Sequence, residues 1–254
     1  MVAKSTSVAK SAKSSKSTAL ATTSFTEDLE ELRSRLHAPT GDKIKLEKQK
    51  FKLPNGDSLD YLDVVIVDFV YMNRYYSTGY EKDSIVPPDC FAINPNDKEL
   101  TPSVNSLDCQ SQVGCAGCAQ NQFGSKGKGK ACSNRIVMAV LPQDAGTDTP
   151  FAILDVPPTS LKGFQQYASS VARGLQRPPF GVVTHIEFDT SSDYAKLIFS
   201  DPQPLDDAEF IGLIRSRREE ARDRLLVEPD VAAMSAANDA KPKSKLKAPV
   251  KRRA

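Results

Sequence analysis

Four cysteines stand between Cys109 and Cys132, in the spacing C-x5-C-x2-C-x13-C. A thiolate is a metal ligand, and a Cys-x2-Cys pair such as Cys115 and Cys118 can set two sulfurs on one ion through a tight turn. Cys109 before the pair and Cys132 after it complete a tetrahedral set. The spacing therefore points to a closed structural zinc site on Cys109, Cys115, Cys118 and Cys132. An iron–sulfur cluster is the alternative that the same four thiolates would accept. A redox Cys-x2-Cys would leave the outer cysteines idle, and paired disulfides belong to oxidising compartments. The fifth cysteine, Cys90 in P-P-D-C-F, reads as a buried thiol, because the other four already complete a site.

The widest gap in this spacing holds a loop, G-S-K-G-K-G-K-A over 124–131. It nearly matches the phosphate-cradling G-x4-G-K-[ST], but Ala131 stands where a magnesium-binding hydroxyl is needed and no strand signal precedes it. Nucleotide hydrolysis is therefore set aside. A cationic lobe remains, with Lys126, Lys128 and Lys130 flanked by Phe123 and Arg135. Upstream, Tyr71, Arg74, Tyr75 and Tyr76 also mix aromatics with a cation. Aromatic faces that stack bases beside cations that hold phosphates are the composition of a single-strand nucleic-acid groove. The competing readings are ordinary sheet packing for the tyrosines and a solvated loop for the lysines. His37 and His185 are the only histidines, and no acid–base pair falls in a recognisable motif, so an enzyme is not expected.

Charge is unevenly spread along the 254 residues. Residues 1–23 carry four lysines and no acid, and residues 239–254 carry seven Lys/Arg against one Asp. With a formal net charge of +2 for the whole chain, the middle is acidic by about eight charges. A body of that sign binds nucleic acid only through a local basic patch or through its tails. The Ser/Thr/Ala/Lys composition of 1–23 offers nothing to bury and reads as a disordered basic tail; residues 231–254 read as a second. No apolar run approaches a membrane span and no secretory leader is visible, so a soluble protein without membrane contact is expected.

The elements that must position these residues lie between the tails, over 24–230, with the cysteine segment as an insertion at 105–135. Ser24-x-x-Glu27 followed by Leu29, Leu32 and Leu36 predicts a capped amphipathic helix. Alternation over 43–53 predicts one strand, and Pro54-Asn55-Gly56-Asp57 predicts a turn into a long β-branched and aromatic strand from Leu59 to Tyr76. Four prolines make 84–108 an irregular connection. Further strands are expected at Arg135–Leu141, Phe151–Val156, Phe180–Asp189 and Tyr194–Phe199. Helices are expected from Thr159 or Ser160 to Ala172 and from Asp206 to Leu226. Strands and helices do not alternate, which argues against a doubly wound sheet. The expectation is a mainly β, α+β domain with flanking helices: an OB-like, partly open antiparallel barrel carrying the four-cysteine metal-binding insertion.

The segments Y-Y-S-T-G-Y (75–80), V-P-P-D-C-F-A (86–92), L-T-P-S (100–103) and C-x5-C-x2-C-x-x-N-Q-F-G-S-x4-K-A-C-x-N resemble a family of tailed-phage, zinc-containing single-stranded-DNA-binding proteins. The plan of a barrel with a zinc-held insertion is similar to that of phage helix-destabilising proteins. The resemblance spans about residues 43–226, and the cysteine segment is its specific part. It implies sequence-tolerant binding of single-stranded DNA in phage replication or recombination, in the cytoplasm of the infected host, with replication or recombination proteins as further partners. Its zinc would be held by Cys109, Cys115, Cys118 and Cys132. One departure is plain: such binders typically end in an acidic partner-recruiting tail, and this chain ends in Lys-Arg-Arg-Ala. The alternative is a zinc-stapled adaptor for a protein such as a host polymerase or another replisome component, which the acidic body favours. Oligomeric state is not legible.

Overall fold

The computed structural model describes residues 42–78, 86–109, 111, 113–232 and 234; the helix expected at Ser24–Leu36 and the basic tail of residues 1–23 lie outside them, as does all of the second expected tail, 231–254, except residues 231, 232 and 234, of which Val231 is buried. Nine strands form one mixed sheet, curled into an open half-barrel. They are β1 (Lys43–Glu47), β2 (Lys50–Lys52), β3 (Ser58–Leu59), β4 (Tyr61–Tyr75), β5 (Cys90–Asn94), β6 (Cys132–Pro142), β7 (Ala152–Val156), β8 (Val182–Phe188) and β9 (Leu197–Pro204). The order is β3-β2-β1-β7-β6-β4-β8-β9, with β5 paired to the far end of β4. The helices are α1 (Leu161–Gly174), α2 (Ala208–Ser216) and α3 (Arg218–Leu225).

Strand β4 is the axis of the molecule. Its run Y-L-D-V-V-I-V-D-F-V-Y-M-N-R-Y is rich in β-branched and aromatic side chains, which suit a pleated surface buried on both sides. It pairs with β6 along most of its length, with β8 at its start and with β5 at its end, all antiparallel. A bulge between Ile66 and Asp68 resets its alternation. Leu62, Val64, Ile66 and then Phe69 face one core, where Phe164, Tyr167 and Val171 of α1 pack. Val65, Val67, Val70 and Met72 face a second core, closed by Ile214 of α2 with Ala221 and Leu225 of α3. Asp68, displaced by the bulge, is buried and meets Arg222 at 2.9 Å and Arg218 at 3.3 Å from α3.

Phe164 is the pin of the first core: its ring lies 5.0 Å from that of Phe69 and 5.1 Å from that of Phe199. Phe164→Ala is expected to lower stability by about 3–5 kcal/mol, the usual cost of emptying such a site. Urea unfolding followed by circular dichroism checks this, and a loss under about 1 kcal/mol would show that α1 is not anchored there.

Several elements differ from the sequence expectation, among them the strand expected at Tyr194–Phe199, which runs from Leu197 to Pro204, and the strand expected from Leu59 to Tyr76, which is split at Asp60 into β3 and β4. The stretch 43–53 is a hairpin, not one strand, because Lys48 and Gln49 both take positive φ (50° and 59°) and turn the chain back. Residues 90–94, inside the proline-rich connection, form a true strand on β4. The last helix breaks at Arg217, which closes α2 and opens α3. The sheet is also not antiparallel throughout: β1 runs parallel to β7 at the edge of the β6–β7 hairpin. No helix of the described residues is long and apolar enough to cross a membrane.

Candidate metal and nucleic-acid site

The cysteines gather at the far end of β4. In the antiparallel register Tyr75 lies opposite Cys132 of β6 on one side and Cys90 of β5 on the other, so all three side chains leave the same face of the sheet. The chain after β5 returns over that face. The N–H of Cys115 donates to the carbonyl of Leu100, and Cys115 packs with Ala92 and Leu100. Cys115-Ala-Gly-Cys118 makes the expected tight turn, with the Cys118 N–H directed at the Cys115 carbonyl. Cys90, Cys115, Cys118 and Cys132 are all buried and line one cavity of about 10 Å³ together with Asn73 and Tyr75. That is the space of one ion or water, not of an organic ligand.

Cys109 is placed differently. It is exposed, and its Sγ lies 3.1 Å from the carbonyl oxygen of Ser111, outside the cavity wall. None of the five cysteines is in a disulfide. Among the described residues no group of three or more His, Cys, Asp or Glu side chains is arranged to hold a metal ion. Burial pushes the thiol of Cys115 up, with a hydrogen bond from Asn73 working against it. Burial and the neighbouring Cys115 and Cys118 push Cys132 to about 12.

A chain of amides supports the sulfurs. Asn73, only 4 % exposed, stands in the cavity wall beside Cys115 and accepts from the Asn134 side-chain amide at 2.6 Å. Asn134 in turn accepts from Lys130 Nζ at 3.1 Å, and Asn121 accepts from the same ammonium at 3.3 Å. Asn121 donates to the Cys115 carbonyl at 2.8 Å, and Gln122 donates to the Ala116 carbonyl at 2.9 Å. Lys130 is thus a structural cation of the lobe, and its Nζ also sits 5.1 Å over the Phe123 ring.

The loop beyond it is a small hairpin closed by the pair Lys126 and Gly129. Gly127 turns it at φ 59°, a conformation that glycine adopts without strain. The Ser125 hydroxyl donates toward the Gln120 and Gln122 carbonyls and accepts from the Ala131 N–H at 2.9 Å, which ties the hairpin base. Lys126 and Lys128 are exposed at its tip, and Phe123 is 81 % exposed beside it.

The sheet separates the other expected contacts. Tyr71 shares the α1 face: it is half-buried against Phe69, its hydroxyl bonds Gln165, and burial pushes its pKa up. Tyr75 lines the cysteine cavity. Arg74 and Arg135 leave the opposite face, the one that carries Met72 and Val137, and both bind Asp155 of β7, at 3.1 and 2.5 Å. Two guanidiniums on one carboxylate leave a single surplus charge there. Tyr76 is exposed at the end of β4. The structure therefore groups Phe123, Lys126, Lys128 and Lys130 on one lobe, keeps Tyr71 and Tyr75 on the cysteine face beneath it, where Tyr71 packs on Ala92, Leu100 and Cys115, and places Arg74 and Arg135 on the opposite face. Strand parity alone carries part of this, since neighbours such as Arg74 and Tyr75 cannot share a face. Asn73, Asn134 and Cys90 are the residues that the linear pattern did not bring into the site. His185 stays apart on β8, with Nδ1 2.6 Å from Asp63.

Comparison of the chain with protein-family models, with curated proteins and with solved structures finds no match.

Proposed function

We propose that this protein binds single-stranded DNA without sequence preference, as a non-enzymatic component of phage DNA replication or recombination. The carrying observation is the lobe of residues 119–131: an exposed aromatic ring beside two exposed lysines, on a hairpin whose base is tied by Lys130 to Asn121 and Asn134 beside the buried cysteines. Phe123 is the stacking platform, Lys126 and Lys128 contact phosphate, and Tyr76 extends the track along the end of β4. The curl of the sheet reads as OB-like. Arg74 and Arg135 add a weaker phosphate contact on the far face, shared with Asp155.

Zinc fits the donor set in kind: clustered buried thiols around a cavity of ion size, with amides bonded behind them, are what a closed structural site requires. Cys115, Cys118 and Cys132 are three of the ligands, and the spacing nominates Cys109 as the fourth. When bound, the ion fixes the lobe; no reaction is assigned to it.

A fluorescence anisotropy titration with a poly-dT oligomer tests the reading. Saturable binding at low salt, weakening steeply as salt rises, is expected. No binding at low salt would end it. A protein-binding adaptor is the second reading, favoured by Val104, Leu107 and Val113, all exposed around the same segment. One stoichiometric partner recovered from host lysate, with no affinity for oligonucleotides, would select it.

A further inference from the structure

We propose that the fourth metal ligand is Cys90 and that Cys109, despite its place in the sequence spacing, is a solvent-facing thiol outside the coordination set. The inference rests on the metal reading above and goes beyond it by reassigning the ligands. Its basis is where the fold puts each sulfur. Cys90 and Cys132 flank Tyr75 on the two strands that border the end of β4, so both project from the same face. Cys115 and Cys118 close over that face from the returning chain, and the cavity has these four cysteines in its wall.

Cys109 is not in that wall. The backbone before it runs along the outer edge of β5: the Asp108 N–H donates to the Asp89 carbonyl at 2.7 Å, and the Phe91 N–H donates to Ser106 Oγ at 3.1 Å. These bonds fasten the approach to Cys109 beside β5 and leave its side chain exposed. A closed structural zinc site takes four protein ligands and keeps no open position, and the four cysteines gathered in this wall supply that number without Cys109. The arrangement also explains why a lone cysteine occupies a short strand seated on the end of β4: β5 delivers a ligand.

Cobalt titration of the full chain and of its C90S and C109S variants decides this. The unsubstituted chain and C109S are expected to bind one cobalt with the charge-transfer intensity of four thiolates. C90S is expected to show three thiolates and an affinity lower by more than about tenfold, since even outer-shell losses cost roughly 10–100-fold. The reverse pattern, C109S losing a thiolate while C90S keeps four, overturns the assignment. Should C90S fail to fold, native alkylation of the zinc-loaded full chain with mass mapping decides instead. Cys109 must label while Cys90 does so only after chelation; Cys90 labelling with the metal in place overturns the proposal. If the unsubstituted chain takes up no cobalt, the metal reading falls and this one with it. The poly-dT titration on the same sample reports separately on the nucleic-acid reading.

Discussion

If the proposed metal is bound, stripping it with a strong chelator is expected to melt residues 113–131, the Cys115–Cys118 turn and the lobe after it, while the sheet stays folded. The reason lies in what each part buries. Between Leu100 and Cys132 the buried apolar residues are Cys115 and Cys118, and the backbone bonds of the segment are isolated turns. A segment so poor in apolar contact cannot offset the entropy of ordering its chain, and on the proposed metal reading the ion supplies the difference. Structural zinc contributes on the order of 10 kcal/mol in isolated modules, far more than the hydrogen bonds of Asn121, Gln122 and Ser125 can replace. The sheet has two cores of its own and needs no such help. Hydrogen exchange read by mass spectrometry should show peptides of 113–131 exchanging within seconds after chelation, with β4 at 64–70 and β6 at 136–141 still protected. Metal uptake should also weaken in acid. Burial raises the thiols of Cys115 and Cys132 above the ordinary thiol range, so binding must displace protons held more tightly than usual. A lobe that keeps its protection after metal loss has been confirmed would refute the metal reading.

The distribution of these features explains what the linear chain reveals and what it hides. Strands β4, β6 and β8 are legible because their β-branched runs are long, and α1 is legible because Phe164, Tyr167 and Val171 recur at helical spacing. Strand β5 is hidden: five residues between prolines carry no periodic signal, and the pairing that makes them a strand lies with β4. The turn at Lys48 and Gln49 is hidden for the opposite reason, since neither residue type announces a positive φ. The cysteine segment shows its donor chemistry in its spacing, but membership of the cavity wall is a three-dimensional property. Cys90 is 19 residues before Cys109 in the chain and joins the wall only because β4 lies between β5 and β6. The same holds for Asn73, an unremarkable amide in a hydrophobic strand whose register sets it beside Cys115. Arg74 and Arg135 look like loose cations in the sequence. Their partner Asp155 is on β7, next to the strand of Arg135 and two strands over from that of Arg74, and the pairing appears only once the order β7-β6-β4 is known.

Phe123→Ala is expected to weaken single-stranded DNA binding by about 5- to 150-fold, and Lys126→Ala with Lys128→Ala to flatten its salt dependence. Loss of one base-stacking aromatic costs about 1–3 kcal/mol, which gives the first range. Phe123 is suited to this test because its ring is almost wholly exposed, so its removal leaves no cavity and stability should be unchanged within about 0.5 kcal/mol. The two lysines are likewise exposed at the hairpin tip and appear in no ion pair among the described residues. Each phosphate neutralised on a single strand contributes about 0.7 to the slope of log K against log salt, so the double variant should lose about 1.4 of that slope. Lys130 separates the structural from the binding role of charge in this loop. Its ammonium is engaged by Asn121 and Asn134, so Lys130→Ala should loosen the lobe and raise its hydrogen exchange, whereas the tip variants should not. Anisotropy titrations with poly-dT at several salt concentrations, alongside thermal melts of each variant, measure both quantities. If Phe123→Ala binds as tightly as the unsubstituted protein and the double variant keeps its full slope, the strand does not run over this lobe. The exposed ring with its neighbours Val104, Leu107 and Val113 would then be a surface for a protein partner.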